Sequence, residues 1–344
     1  MDAYTLQQAG LAVIVSLVVS MAITGYSIGY ARRKGMLDHP GQRRSHSAPT
    51  PRGGGVGLVA GTLSGLWIVL HGRMHPAYLL GVLMLAGVLV AIVGWCDDRR
   101  GLAALPRLLA HFLASAAFVW VLVSVAHASW WWVLPLVGVG AWSINLHNFM
   151  DGIDGLLGLQ LVFVGLAGML LCTFSGMPVL AATYLVLSAA ATGFLVFNLP
   201  PARIFMGDVG SGYAGMLVFM LGSLWWANQP HALWAVLALH AVFVTDATLT
   251  LLTRMRQGRR WYTAHREHLY QYLVRSGLSH GITGCLYLSY NIVVVAPLAW
   301  LALERPAMGP YVVVFLYTAT AATWWLARRH CMRKVTRRHE RACA

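Results

Sequence analysis

Only eleven of the 344 residues are acidic, and five of these fall in three glycine-framed groups. The groups are Gly94-Trp95-Cys96-Asp97-Asp98, Asp151-Gly152-Ile153-Asp154-Gly155 and Gly207-Asp208-Val209-Gly210-Ser211. Glycine permits sharp turns and a close backbone approach to a ligand. One carboxylate at a helix end is explained as a cap; three such groups on one face point to shared chemistry. Five carboxylates gathered together repel one another unless a cation neutralises them. Oxygen ligands without Cys or His favour Mg²⁺ or Mn²⁺ over zinc. Mg²⁺ usually takes one or two protein carboxylates, completing its shell with water and substrate phosphates. The remaining carboxylates are then left as base, orienting group or nucleotide contact, and the matching substrate is a pyrophosphate.

A second polar stretch supplies cations. It runs from Arg254 through Arg256, Arg259 and Arg260 to His265-Arg266-Glu267-His268. Guanidinium or imidazolium groups beside a carboxylate site suit an anionic diphosphate and its leaving phosphate. His265 and His268 would share a face if the segment were helical. Asp246 stands apart, within or near the end of an apolar run, where a charge needs a partner or a purpose. An ion pair with a loop arginine and a role toward substrate are equally open for it.

The elements that must position these groups are membrane helices. Hydrophobic residues make up 58% of the chain and charged ones 10%, against about a quarter charged in soluble domains, so lipid is the main solvent. Roughly eleven apolar runs recur, near 9–30, 55–70, 77–95, 108–126, 130–147, 156–174, 179–197, 212–227, 231–252, 282–303 and 309–327, each long enough to be read as a spanning helix. With alternate loops on opposite sides, 23 of the 25 Lys and Arg fall on one face, leaving Arg73 and Arg305 on the other. The basic face is then cytoplasmic, the N-terminus periplasmic and the C-terminus cytoplasmic. The net charge of +14 is thus explained by topology and anionic lipid, not nucleic acid. The N-terminus lacks a basic leader and a small-residue cleavage site, so the first run reads as a retained helix. The five cysteines are scattered, without metal-ligand spacing. The expected architecture is all-α and polytopic: a single transmembrane catalytic domain over 1–327 and a basic cytoplasmic tail over 328–344.

Taken together, the motifs resemble the polyprenyl-phosphate N-acetylhexosamine-1-phosphate transferases. The stretches that carry the resemblance are Asp38-His39-Pro40 through His46 to Arg52-Gly53-Gly54-Gly55, Gly94 to Asp98, Asn145 to Gly155, Phe197 to Ser211, and His265-Arg266-Glu267-His268. The resemblance implies that Asp208 is the Mg²⁺ ligand and that Asp97 and Asp98 serve lipid-phosphate deprotonation and site electrostatics. It implies that Asn148, Asp151, Asp154 and Asn198 line the nucleotide pocket, with Asp154 counted among the catalytic groups. Phe205 matches an aromatic that stacks on uracil. His265 and His268, counted among the catalytic groups, fall where family histidines contact the diphosphate or nucleotide, while Arg52 and Arg266 stand in the same motifs as substrate-binding cations. The lipid I enzymes carry consecutive histidines in the last loop; the His-Arg-Glu-His found here points to simpler UDP-N-acetylhexosamine donors.

The implied reaction places undecaprenyl phosphate and a UDP-N-acetylhexosamine at the cytoplasmic face of a bacterial inner membrane. The lipid phosphate attacks the β-phosphorus and UMP leaves, which would initiate O-antigen or another envelope polysaccharide; a covalent two-step route is equally compatible. An anionic-solute transporter would instead place polar groups on broken helices near the midplane. A CDP-alcohol-type phosphotransferase would carry Ala-Arg soon after its first Asp-Gly, where this chain has Leu156-Leu157-Gly158-Leu159. The oligomeric state is open, a homo-oligomer included.

Overall fold

The computed structural model describes residues 3–38, 49–71, 73, 77–260 and 265–343, with backbone alone for 3–5, 77 and 337–343. The motif residues from His39 to His46, with Arg43 and Arg44, lie outside the described residues. Fourteen α-helices follow one another: α1 (Ala3–Arg33), α2 (Gly55–Leu70), α3 (Ala77–Arg100), α4 (Ala104–Val125), α5 (Val133–Phe149), α6 (Leu156–Phe174), α7 (Pro178–Asn198), α8 (Asp208–Asn228), α9 (Leu233–Leu239), α10 (Ala241–Arg256), α11 (Leu269–Arg275), α12 (His280–Tyr290), α13 (Ala296–Glu304) and α14 (Gly309–Cys343). Two short strands, β1 (Leu37–Asp38) and β2 (Thr50–Pro51), pair antiparallel. The fold is all-α and multi-pass, as read from the sequence.

Each apolar run is helical, but the runs are not equal. Among the described residues eight helical segments are long and apolar enough to cross a bilayer, or nine if α9 and α10, bent by 66°, form one span. With 16 and 17 residues, α2 and α5 rise only about 24–26 Å, short of a hydrocarbon core of about 30 Å. The bend between α9 and α10 lies at His240, and side chains satisfy carbonyls beside it: Tyr317 Oη donates to Leu237 O at 3.0 Å and Gln160 Nε2 to Leu239 O at 3.4 Å. A broken helix in lipid requires such partners. The basic stretch after Arg328 is helical, because α14 continues unbroken to Cys343. Beyond Pro310 that helix holds no glycine or proline to stop it.

The bundle is built around α8, whose residues from Val209 to Trp225 are all buried. Helices α1, α2 and α7 pack on one another through small residues at intervals of four, which let backbones approach where lipid offers no hydrophobic drive. Ser16 Oγ donates to Gly61 O at 2.9 Å and Ser20 Oγ to Ala190 O at 2.7 Å. A Cβ on Gly61 would meet the Ser16 carbonyl at 2.6 Å. The outward faces of α1, α4 and α14 expose Leu11, Ile14, Leu105, Leu109, Val314 and Phe315, as helices solvated by lipid must.

Candidate active site

The three glycine-framed groups converge at one end of the bundle. Gly94 lets α3 lie against the start of α8, since a Cβ there would strike the Asp208 backbone carbonyl. Asp98, whose side chain is fully buried, then accepts from the backbone nitrogens of Asp208 at 2.9 Å and Val209 at 3.1 Å. These are donors that the first turn of α8 cannot satisfy within the helix. Gly207 delivers the chain to this point at φ +75°, with the Asp98 carboxylate where a side chain would be. Arg52 is held nearby because Phe205 N donates to Pro51 O at 2.8 Å and Gly54 N to Phe205 O at 2.9 Å. Its guanidinium pairs with Asp98 through Nε and with Asp208 through Nη2, both at 2.7 Å. Burial opposes the Arg52 charge, but Asp98, Asp208 and Asp151 outweigh it and hold the group above its ordinary value. From the opposite side Arg107, in the first turn of α4, pairs with Asp97 and reaches Asp208 Oδ2 at 3.2 Å. Three carboxylates therefore share two guanidiniums, and negative charge is left over.

The other wall comes from the turn between α5 and α6. Asn198 joins it to the 199–206 loop, accepting from Gly155 N at 3.0 Å and donating to Ile204 O at 2.9 Å. Asp154 accepts from Ala202 N at 3.1 Å and lies 3.3 Å from His280 Nδ1. Asn148 donates to Ser211 Oγ at 3.0 Å. Between these walls opens a cleft of about 260 Å³, lined by Arg52, Asn148, Asp151, Asp154, Asn198, Phe205 and Asp208, with Asp38, Gln271 and His280. The Asp151 backbone N donates to Asn148 O at 3.3 Å, while its carboxylate makes no hydrogen bond or ion pair among the described residues. Burial, then the charge of Asp208, holds its carboxyl well above the usual carboxylate range, with Arg52 pulling the other way. Gly152 can have no side chain, because the Tyr270 hydroxyl occupies the place of a Cβ while donating to Phe149 O at 2.9 Å. Gly152→Ala is expected to displace the 151–154 turn and lower turnover by one to two orders of magnitude, the cost of a misplacement of about 1 Å. Steady-state rates of a variant that melts like the wild type check this.

The histidine loop lies elsewhere. Neither His265 nor His268 lines the cleft; residues 265–267 are not helical, and their rings meet at 4.9 Å. His268 is buried between Phe149 and Tyr270 and stands at the N-cap of α11. The Arg266 carbonyl accepts from Arg275 Nη1 at 3.3 Å, and its side chain is also outside the cleft lining. Burial, followed by His268 and Arg254, lowers His265 to about 4. The folded ring thus binds fewer protons than the unfolded one between about pH 4 and 6.5, so stability is complete above 6.5 and falls as pH drops toward 4. The melting temperature of His265→Gln is expected to fall less than that of the wild type between pH 7 and 5. Asp246 accepts from Leu269 N, Trp324 Nε1 and Tyr287 Oη, each at 2.8 Å, and from Thr250 at 3.2 Å, and its Oδ1 lies 3.8 Å from His268 Nδ1. The buried carboxylate thus has its partners inside the protein, and the ionic one is a histidine, not a loop arginine.

Residues that the motifs did not mark as site residues are Arg107, Asp38, Gln271, Tyr270 and His280. Arg107 follows Asp97 by ten residues in a basic loop and resembles any other topology signal. Only the turn from α3 to α4 reveals its target. Asp38 alone had a signal, at the head of a matching stretch.

Comparison with known proteins agrees with this geometry. Residues 80–225 match the family described as glycosyl transferase family 4. Over 327 residues the chain is 31% identical to decaprenyl-phosphate N-acetylglucosaminephosphotransferase of Mycolicibacterium smegmatis, covering 80% of this chain and 77% of that one. The chain belongs to the polyprenyl-phosphate N-acetylhexosamine-1-phosphate transferase family. It is also 27% identical to the probable undecaprenyl-phosphate N-acetylglucosaminyl 1-phosphate transferase of Bacillus subtilis, over 85% of this chain and 87% of the relative. With undecaprenyl-phosphate alpha-N-acetylglucosaminyl 1-phosphate transferase of Escherichia coli K12 it shares 28% identity over 72% of each. The glycosyl transferase family 4 match takes in all five glycine-framed carboxylates and ends before Asp246 and the histidine loop. Of those five, Asp151, Asp154 and Asp208 line the cleft, and Asp97 and Asp98 join Asp208 through Arg107 and Arg52.

Proposed function

We propose that the protein transfers an N-acetylhexosamine-1-phosphate from a UDP-sugar to undecaprenyl phosphate at the cytoplasmic face of a bacterial inner membrane. The products are the undecaprenyl-diphosphate sugar and UMP, the first step toward O-antigen or another envelope polysaccharide. The observation that carries the reading is Asp208 at the start of α8, gripped by Arg52 and Arg107 and opening on a polar cleft. A lipid phosphate oxygen bonds to the β-phosphorus as the bond from that phosphorus to the bridging oxygen breaks, and UMP carries that oxygen away.

The donor set fits Mg²⁺, or Mn²⁺. No three His, Cys, Asp or Glu side chains among the described residues form a metal group on their own, but Mg²⁺ commonly takes one or two carboxylates and completes its shell from substrate phosphates. Asp208 on one wall and Asp151, with the Asn148 amide, on the other offer hard oxygens to one cleft, and the surplus negative charge there calls for a cation. When bound, it would neutralise charge on the diphosphate. The residues themselves do the positioning. Asp98 and Asp97 hold Arg52 and Arg107 in place, and those guanidiniums face the transferring group as fixed positive charge. Asn198 and Asp154 tie down the loops that shape the cleft. Phe205 offers a face for the uracil base; stacking contributes about 1–3 kcal/mol by alanine substitution, so Phe205→Ala is expected to raise the donor KM about tenfold with a smaller change in kcat.

The test is to incubate the purified protein with undecaprenyl phosphate, Mg²⁺ and a panel of UDP-N-acetylhexosamines. UMP release with at least one donor supports the reading, and the best donor names the sugar. Absence of UMP with every donor, from protein that melts cooperatively, would overturn it.

A further inference from the structure

Asp208 and Asn148 form a wall common to two cavities. One is the cleft already described; the other is smaller, about 40 Å³, and its lining includes Val90, Val93, Arg107, His111, Asn145 and Gly212. The sequence spacing places this second space deeper in the bundle. His111 follows Arg107 by four residues on α4, Gly212 follows Asp208 by four on α8, Asn145 precedes Asn148 by three on α5, and Val93 precedes Asp97 by four on α3. Each step is about one helical turn, or ~5 Å, away from the carboxylate end and toward the bilayer. The cavity is therefore a pocket about one turn deeper than Asp208, lined by both polar groups and valines.

Its polar groups suit an anion. Asn145 Nδ2 donates to Ala141 O at 2.7 Å and lies 3.2 Å from His111 Nδ1, so the imidazole nitrogen accepts and the ring proton sits on Nε2, a donor for a phosphate oxygen. Arg107 adds a fixed positive charge. The space admits about three water-sized groups, which matches the terminal oxygens of a phosphate monoester and excludes a sugar nucleotide. On the far side of α4, Leu105, Leu109 and Leu113 are each at least 60% exposed, so one helix carries a lipid-facing stripe and the polar pair opposite it.

We propose that this inner cavity seats the phosphate of the lipid acceptor, with Arg107, His111 and Asn145 as its contacts, and that donor and acceptor reach Asp208 from opposite sides. The inference rests on the transferase reading above. The acceptor monoester, with a second ionisation near pH 6 by analogy with phosphorylated side chains, is largely a dianion at neutral pH. Its oxygen therefore attacks the β-phosphorus without first losing a proton to the protein, and UMP departs through the outer cleft.

Kinetics of His111→Leu, His111→Gln and Asn145→Leu test this in the full-length protein. A hydrogen bond to a charged group is worth about tenfold or more in binding. Each leucine variant should raise the KM for undecaprenyl phosphate by that factor and change the donor KM by less than about twofold, while His111→Gln, which keeps a donor, recovers most of the loss. Unchanged acceptor KM in both leucine variants, or equal rises in both KM values, overturns the proposal. Should a leucine variant fail to fold, inorganic phosphate gives the answer in the wild type: inhibition competitive with the acceptor supports the seat, and competition with the donor alone refutes it. A wild type that turns over beside leucine variants with normal acceptor KM defeats only this inference, whereas a wild type that releases no UMP defeats the transferase reading as well.

Discussion

Asp208→Asn is expected to lower sugar-phosphate transfer by about 10³-fold or more while leaving the melting temperature near that of the wild type. The two halves of this expectation have one origin. Asp97, Asp98 and Asp208 share the guanidiniums of Arg52 and Arg107, so removing one negative charge balances the cluster instead of stranding a cation. Asparagine has nearly the same shape, and its carbonyl still accepts from one arginine. What it loses is the surplus charge that attracts a divalent ion and the anchor that aims both guanidiniums at the diphosphate. Removal of one preorganised electrostatic contact costs about 10²–10³ in rate, and impaired cation binding adds to it. The measurement is UMP release against Mg²⁺ concentration, with chelator as control. Wild-type rates in the variant at ordinary Mg²⁺ would sink the metal assignment to Asp208.

The second large effect falls on stability. Asp246 is buried between α10, α11, α12 and α14 and receives the backbone nitrogen of Leu269, the Trp324 indole and the hydroxyls of Tyr287 and Thr250. Asp246→Leu leaves those donors without an acceptor. A buried donor left unpaired costs about 1–3 kcal/mol; the hydroxyls can turn elsewhere, but the indole and backbone N–H cannot, so the loss should be about 2–5 kcal/mol. Asp246→Asn keeps one acceptor oxygen and should lose about 1 kcal/mol. Thermal unfolding in detergent compares the two. If the leucine variant melts with the wild type, Asp246 is not the hub described. If the asparagine variant melts normally yet loses transfer, its role is chemical and not structural.

These two aspartates show where the sequence could and could not be read. Asp208 announced itself by type and setting: a carboxylate between glycines, matched by two similar groups, in a chain with few acids to spare. Asp246 gave only an anomaly, a charge in an apolar run, because its partners come from 4, 22, 23, 41 and 78 residues away. Spacing on one helix carries no record of them. The histidine loop was legible only in part, for the related reason that His-Arg-Glu-His names residue types suited to phosphate without saying which way the loop folds. In the structure the ring of His268 turns inward against Phe149 and Tyr270, and His280, unmarked by any motif, takes a place in the cleft.

The sequence by itself determined the solvent, the helical segments and the carboxylates, since hydropathy and glycine placement are properties of single residues and near neighbours. Apolar runs must become helices in lipid because the backbone has no other partner there. Tertiary structure decided which carboxylate faces the cleft and which holds an arginine, and made Arg107 part of the site. It also set the bend at His240 and the two-sided access to Asp208. Those outcomes depend on which helix ends meet, and that is fixed by packing between residues far apart in the chain, where small side chains let backbones close and buried donors find acceptors.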